Sequence, residues 1–400
     1  MRGPWGATAI AVGLVLLVGP LVGGVVPSTR TAAGPPSIAG LAADLALAAT
    51  PIASPPAPPP GASAVASAHP SLTPSEVART LFVNYNASVP GGFASTVADW
   101  YLGPGAYVPS DGRLWLPNLI DPVRDPVPPS APAVLYDPIT NSFTGTVPAL
   151  TNCSDFVYDP QNGYLYATQP FTDTVGVFNP ANGSWAAPPI PVGNDPLRMV
   201  FDPSTQEMLV ANALSDNLTV VNTTTESVQG SGVVLAASPD GMVLDPANST
   251  LFVAYLNSTD LTVLNATDFS PIATPVLPGS AGGIAFSPTA DRVGVTIRSK
   301  GYVSLLSASN YGTYGVVSVG AAPGAIAATT DGESFLVGND TSNLLTIVNA
   351  TSGTVSPSTI QTGTAPTSFD QIGLGVYAWA TVTHVLTAVW SGNASESIPS

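Results

Sequence analysis

From residue 157 onward, short runs rich in Val, Leu, Ile, Phe and Tyr alternate with polar stretches of Asn, Asp, Gly, Ser, Thr and Pro, and the alternation itself repeats. The segments VYDPQNGYLYATQPFTDTVGVFNP, VFDPSTQEMLVANALSDNLTVVNTT, VLDPANSTLFVAYLNSTDLTVLNAT, AFSPTADRVGVTIRSKGYVSLLSAS and AATTDGESFLVGNDTSNLLTIVNAT begin at Val157, Val200, Val243, Ala285 and Ala327. Their anchor residues Asp159, Asp202, Asp245, Ser287 and Thr329 are separated by 43, 43, 42 and 42 positions. Each unit reads as an apolar run, a DP-type turn, a second run such as residues 251–254, a polar loop, a third run such as 261–264, and a Gly/Thr-rich fourth. Apolar runs of strand length split by turn formers predict antiparallel strands joined by hairpins. Four strands in a repeat of this length predict a propeller blade, since leucine-rich repeats are shorter and kelch units longer.

Two weaker copies extend the series. GPGAYVPSDGRLWLPN from Gly103 matches the first two strands, and VLYDPITNSFTG from Val134 the third. APTSFDQIGLGVYAWATVTHVLTAVW from Ala365 supplies three strands of a last unit. The expectation is an all-β, seven-bladed β-propeller over residues 103–392, followed by a tail at 393–400. The last blade lacks an outer strand, and residues 84–101 are its natural supplier, because closing the ring with strands from both ends removes free edges.

The units resemble the YVTN-repeat seven-bladed propellers of archaeal surface-layer and other secreted proteins. The resemblance rests on LVAN at 209–212, LVGN at 336–339 and LYAT at 165–168, with departures in RVGVTI and VYAWA. It implies architecture above all, because such propellers serve adhesion, scaffolding and a few enzymes alike.

Ahead of the repeats, IAVGLVLLVGPLVGGVV over residues 10–26 follows a stretch with Arg2 as its early charge, and Ala32 and Ala33 lie shortly after. Residues 1–33 are therefore expected to be a secretory signal peptide or a signal anchor. Residues 34–72 are Pro-, Ala- and Ser-rich and read as a linker, with His69 a solvated residue at its end. Thr73 as N-cap, Pro74 at the first helical position and Glu76 closing a capping box predict a short helix to about Val83, within a 73–102 segment that also holds the closing strand.

Composition narrows the function. Nine Lys plus Arg against 25 Asp plus Glu give a formal charge of −16, which excludes nucleic acid as a partner. Only 8% of residues are charged against about 25% in an average chain, so another polar coat must keep the surface wet. Gly 38 and Pro 42, one residue in five, exclude coiled coils and long-helix bundles. Cys153 is the single cysteine, so no intrachain disulfide or Cys-based metal cluster forms, and the residue reads as a buried structural thiol.

Asp159, Asp202 and Asp245 sit in DP turns, where a carboxylate accepts backbone N–H bonds, rather than in a metal-binding ring. Asp173, Asp216 and Asp260, with Asn343 in the matching place, recur before third strands and are expected to form Asx turns. Glu207, Glu226 and Glu333 are scattered, His384 stands alone in the ring, and no hydrolase, zinc or phosphate-loop motif is present, so no cofactor, metal or catalytic set is nominated. Asn-x-Ser/Thr acceptors are abundant: Asn86, Asn152, Asn182, Asn217, Asn222, Asn248, Asn257, Asn265, Asn339, Asn349 and Asn393. Asn222, Asn265 and Asn349 occupy equivalent third-strand exits where turn chemistry competes, whereas Asn217, Asn257 and Asn339 are expected in exposed loops between second and third strands. Several are expected to carry glycan on an extracellular face.

Loops joining second to third strands should share a face with the inter-blade connections. The enlarged blade 1 loop at residues 118–132 carries Arg124, blade 5 offers Arg298 and Lys300, and blade 7 offers His384. These cations are the candidate binding face for an anionic partner. The leading expectation is an extracellular or cell-surface propeller that binds other envelope proteins or glycans without catalysis, touching membrane only through its N-terminal segment. The alternative is a lactonase- or lyase-like enzyme, which would gather several polar groups, at least one with a shifted pKa, at one mouth of the channel.

Overall fold

The computed structural model describes residues 76–79, 100–120, 132–140, 142–236, 238–256, 258–362, 366–372, 375–380 and 385–391. All fall within one unit, residues 35–400. Seven antiparallel sheets follow one another along the chain, each ordered outward from its first strand. Blade 1 holds Ala106–Val108, Arg113–Leu116, Pro132–Asp137 and Ser142–Thr151. Blade 2 holds Phe156–Asp159, Tyr164–Gln169 and Thr174–Asn179, its outer edge split into Ser184–Trp185 and Ile190–Pro191. Blade 3 is Pro196–Asp202, Glu207–Asn212, Asn217–Asn222 and Ser227–Val234; blade 4 is Pro239–Asp245, Thr250–Tyr255, Leu261–Asn265 and Pro271–Ala273. Blade 5 is Ala281–Ser287, Arg292–Ile297, Tyr302–Ser307 and Thr313–Ser318; blade 6 is Pro323–Ala328, Ser334–Asn339, Leu344–Asn349 and Val355–Gln361. Blade 7 takes Pro366–Ile372, Gly375–Ala380 and Val385–Ser391 from the end of the chain and Glu76–Arg79 from near its start.

Each first strand packs on that of the next blade, and Pro366–Ile372 packs on Ala106–Val108, so the series closes on itself. The chain is a seven-bladed β-propeller, as its repeat predicts. A second strand is covered on both faces by neighbouring blades, which is why it reads as an unbroken apolar run: every residue of Thr250–Tyr255 is buried. Layers such as Leu209, Leu218, Met242, Leu251 and Val253 fill the space between blades 3 and 4. Each such side chain contributes about 1.5–3 kcal/mol by its burial. Outer strands carry the polar residues and are largely exposed, as in Ser227–Val234.

Ring closure departs from expectation in its details. Glu76–Arg79, inside the segment expected to be helical, is a strand paired antiparallel with Val385–Ser391, with Glu76 opposite Ser391 and Arg79 opposite Ala388. The capping box is a local preference, and a helix this short is marginal in water. The open edge of the last blade offers a row of backbone partners instead. Within residues 84–101, the expected source of that strand, the described residues Trp100 and Tyr101 pair elsewhere: Trp100–Leu102 joins Asn118–Ile120 in a separate two-stranded sheet.

The turn aspartates behave as structural residues. Asp159, Asp202 and Asp245 are buried, and their Oδ1 atoms accept the N–H groups of Gln161 at 2.8 Å, Ser204 at 2.8 Å and Ala247 at 3.0 Å. Asp173 differs from its expected Asx role: its Oδ1 accepts from the N–H of Asp195 at 2.9 Å, on the connection into blade 3.

Candidate functional site

First strands line the central channel, and their opening residues shape its mouth. Where the first strands of blades 3 to 6 begin, the pairing to the second strand shifts register: between Pro196 and Arg198, Pro239 and Gly241, Ala281 and Ile284, and Pro323 and Ile326. Such bulges re-aim side chains. Second strands end on the same face, where residues just past them bond to inter-blade connections, as Ala213 N–H does to the Asp195 carbonyl and Asp340 N–H to that of Ala322. The expected sharing of one face by these loops and connections is therefore observed.

A cavity of about 860 Å³ opens at this mouth. Phe156, Met199, Met242, Ile284, Ile326 and Phe369 form its apolar wall, and Asp155, Arg198, Asp240, Arg298 and Asp340 its charged rim, one from each of blades 2 to 6. Asp155 is buried; its Oδ2 accepts the N–H of Met199 at 2.8 Å, tying blade 2 to blade 3. Burial pushes the Asp155 carboxyl up to about 7, opposed by the Arg198 guanidinium and by the N–H groups of Met199 and Phe156. Burial also raises Asp240, again opposed by Arg198, and its Oδ1 lies buried without a hydrogen-bond partner. Arg298 Nη2 sits 3.1 Å from Asp340 Oδ2, and Asp340, itself buried, is raised to about 6 by burial despite that guanidinium. Asp195, which does not line the cavity, is 2% exposed with neither carboxylate oxygen bonded; burial first, then the charges of Asp173 and Asp240, push it up to about 7.

Of the expected cationic face, Arg298 and Lys300 share the 3₁₀ turn Arg298–Lys300, but they diverge in role. Arg298 turns into the channel and pairs with Asp340, whereas Lys300 is exposed and Ser299 lines the cavity beside Arg298. Arg124 and His384 lie outside the described residues, as do Asn86, Asn257 and Asn393. Among the glycan candidates, Asn182 and Asn248 are exposed. Asn152, Asn217, Asn222, Asn265 and Asn349 are half-buried. The Oδ1 atoms of Asn222, Asn265 and Asn349 accept turn N–H groups of Thr224, Thr267 and Ser352 at 2.9, 2.7 and 2.8 Å. Neither Asn217 nor Asn339 is in an exposed loop: Asn217 opens a third strand and its Oδ1 accepts from the Asn212 amide at 2.7 Å, while Asn339 ends a second strand, is 5% exposed, and its amide donates to the Val319 carbonyl and Thr346 Oγ1. Cys153 is fully buried, and burial alone pushes its thiol up to about 12, so it acts as an apolar filler.

Sequence reasoning missed Asp155, Arg198, Asp240 and Asp340 as a group. A signal was present: Asp155 and Arg198 lie four positions before their anchors, where the other units carry Gly241, Gly283 and Ala325. Asp240 stands where Gly282 and Gly324 do.

No protein-family model matches the chain, and no curated protein does. Among solved structures, the chain is similar to one titled "Kuenenia stuttgartiensis Hydrazine Synthase", at 15% identity and a TM-score of 0.61, over 76% of this chain and all of that one. At that identity the likeness carries the propeller fold and nothing of the chemistry.

Proposed function

We propose that this propeller is a secreted or cell-surface binding protein that takes its ligand at the channel mouth, on the face built from inter-blade connections. The observation that supports the reading is the convergence of charged side chains from five blades on one apolar-walled cavity of about 860 Å³, the form that small-ligand sites usually take. Partners of this kind include envelope glycans and other envelope proteins, and glycan on exposed acceptors such as Asn182 would supply the polar coat that so few charges leave wanting. Attachment of the purified chain to envelope material, measured by co-sedimentation, tests it. The Arg198→Gln, Asp240→Asn double variant should bind at least tenfold more weakly; equal binding would remove the channel mouth from the reading. Mass spectrometry of the native protein should find glycan at Asn182 and none at Asn339.

One observation favours a second reading, an acid–base enzyme. Asp155 at about 7 beside Arg198 is a carboxyl poised to exchange a proton near neutral pH. Its hydrogen bond to the Met199 N–H also has a purely structural use. A small-molecule turnover lost in Asp155→Asn, with the melting temperature kept, would decide for catalysis.

A further inference from the structure

The charged rim of the channel mouth holds two guanidinium groups in different states. Arg298 Nη2 lies 3.1 Å from Asp340 Oδ2. Arg198, half-buried in the same cavity lining, has no carboxylate oxygen within 4.0 Å among the described residues. Its one hydrogen bond runs from Nη1 to the carbonyl of the preceding residue, Leu197, at a long 3.4 Å. Asp155, one blade away, is spent on the Met199 N–H at 2.8 Å, and Asp240 lines the cavity from blade 4 without reaching ion-pair distance. A guanidinium carries five donors in a planar fork, so most of this one stands unspent at the cavity wall. None of its nitrogens is both buried and without a partner, so the unspent donors are accessible.

What surrounds the fork is apolar. Phe156, Met199, Met242, Ile284 and Ile326 occupy one position of the repeat, three before each anchor, and with Phe369 they wall the cavity. Met199 follows Arg198 in the chain and Met242 stands in the next blade; thioether side chains adapt to irregular apolar shapes. The acceptor that matches a guanidinium fork is planar and bidentate, a carboxylate. Phosphate and sulfate offer paired oxygens too, but a doubly charged anion meets stronger repulsion from Asp155 and Asp240 than a monocarboxylate does. Burial holds both of those acids above their ordinary range, Asp155 at about 7, which weakens the repulsion below neutrality. Since the chain as a whole carries −16, recognition of an anion here depends on contact with Arg198 and not on long-range attraction.

We propose that Arg198 anchors a subsite for a small monocarboxylate with an apolar body, the carboxylate on the guanidinium fork and the body against Phe156, Met199 and Met242. The inference rests on the channel-mouth reading and specifies the chemistry recognised there. It moves the anionic partner that the sequence suggested from the exposed cations to a half-buried one in the channel.

Isothermal titration calorimetry of the full chain at pH 6, with hexanoate, hexylamine and inorganic phosphate as separate probes, tests it. The expected result is saturable binding of hexanoate, weakened at least tenfold in Arg198→Gln, partly recovered in Arg198→Lys and unchanged in Arg113→Gln, whose site opens a second strand at the far end of blade 1. Circular dichroism confirms that each variant folds. Hexanoate binding that survives Arg198→Gln overturns the proposal, as does the absence of hexanoate binding. Tighter binding of hexylamine or of phosphate than of hexanoate overturns the monocarboxylate assignment. Attachment to envelope material that requires Arg198 and Asp240 while hexanoate stays silent overturns the subsite and leaves the channel mouth a ligand site. Hexanoate binding lost in Arg198→Gln, beside envelope attachment indifferent to the double variant, sustains the subsite and removes the envelope partner, so the two readings fail separately.

Discussion

Blades 2 and 3 and blades 5 and 6 build the same stretch of channel wall from the same repeat, with opposite chemistry. At matching positions the first pair carries Asp155 and Arg198, the second Gly283 and Ala325. Space explains the difference. A Cβ on Gly283 would lie 2.9 Å from the Gly324 carbonyl oxygen and 3.1 Å from the Ile326 nitrogen, and one on Gly282 2.6 Å from Thr296 Oγ1. Blades 5 and 6 meet backbone to backbone there, tied by Thr296 Oγ1, which takes the Gly283 N–H at 2.7 Å and donates to the Gly324 carbonyl at 2.7 Å. At Arg198 the wall accommodates a whole guanidinium. Blade 4 is intermediate, with Asp240 charged and Gly241 held small by Ile284, whose Cγ2 would lie 2.8 Å from an added Cβ. Charge at these first-strand positions is thus confined to the side of the ring that leaves room for it, while blades 5 and 6 carry theirs, Arg298 and Asp340, just past their second strands.

The comparison breaks most readily by exchange. Gly283→Arg, which gives blade 5 the residue of blade 3, should lose about 4 kcal/mol or more, because the obstacle is backbone and cannot rotate away. Arg198→Gly should cost about 1 kcal/mol. Soluble yield and thermal melts of the two variants read the difference, and equal melts would mean that the two sides are equally roomy.

Gly324→Ala is a smaller insult with a specific victim. Its new Cβ would collide with the Asp340 carboxylate and displace it from Arg298, leaving a buried acid without its counter-charge. A loss of about 2–3 kcal/mol is expected. Ala325→Gly in the same blade should change stability by less than about 1 kcal/mol.

A pH series sharpens the comparison further. A carboxyl whose folded pKa lies above its ordinary value holds its proton more tightly in the folded state. Its contribution therefore favours folding at low pH and fades as pH rises through the folded value. Asp155 and Asp195 at about 7 and Asp340 at about 6, all from an ordinary 3.8, set that window between about pH 4 and 7. The melting temperature at pH 5 should exceed that at pH 8 by roughly 5 °C, and Asp155→Asn with Asp195→Asn should flatten the curve. Below the ordinary carboxyl value the trend reverses. Asp268 is held low by the hydroxyl and N–H of Ser270, and Asp137, against the pull of its burial, by Thr140 and Ile139; both lose those bonds on protonation.

The smallest effect expected is that of Arg198→Gln, which removes the cation that opposes burial at Asp155 and Asp240. The Asp155 titration, followed by carboxyl NMR, should move upward with little change in melting temperature. A downward movement would show that Arg198 does not face it.

Much of this molecule was legible in one dimension. A period of 42 or 43 residues, apolar runs of strand length and DP turns determine the blades, their order and the structural duty of Asp159, Asp202 and Asp245, because hairpins are local and every unit repeats the same local solution. Ring closure by the chain's beginning was legible in kind. Its register was not, because Glu76–Arg79 is selected by the free edge of a strand some 300 residues away and not by its own capping pattern. Asn339 read as a loop acceptor because a sequence does not show which strand end tucks under the next connection. The charged mouth depended still more on the closed ring. Asp155, Arg198 and Asp240 lie about 43 residues apart along the chain, and only ring closure, with register shifts at the first-strand starts of blades 3 and 4, brings them to one cavity. What sets their protonation is desolvation, which no residue possesses alone: it belongs to the atoms that the tertiary fold packs around a carboxyl.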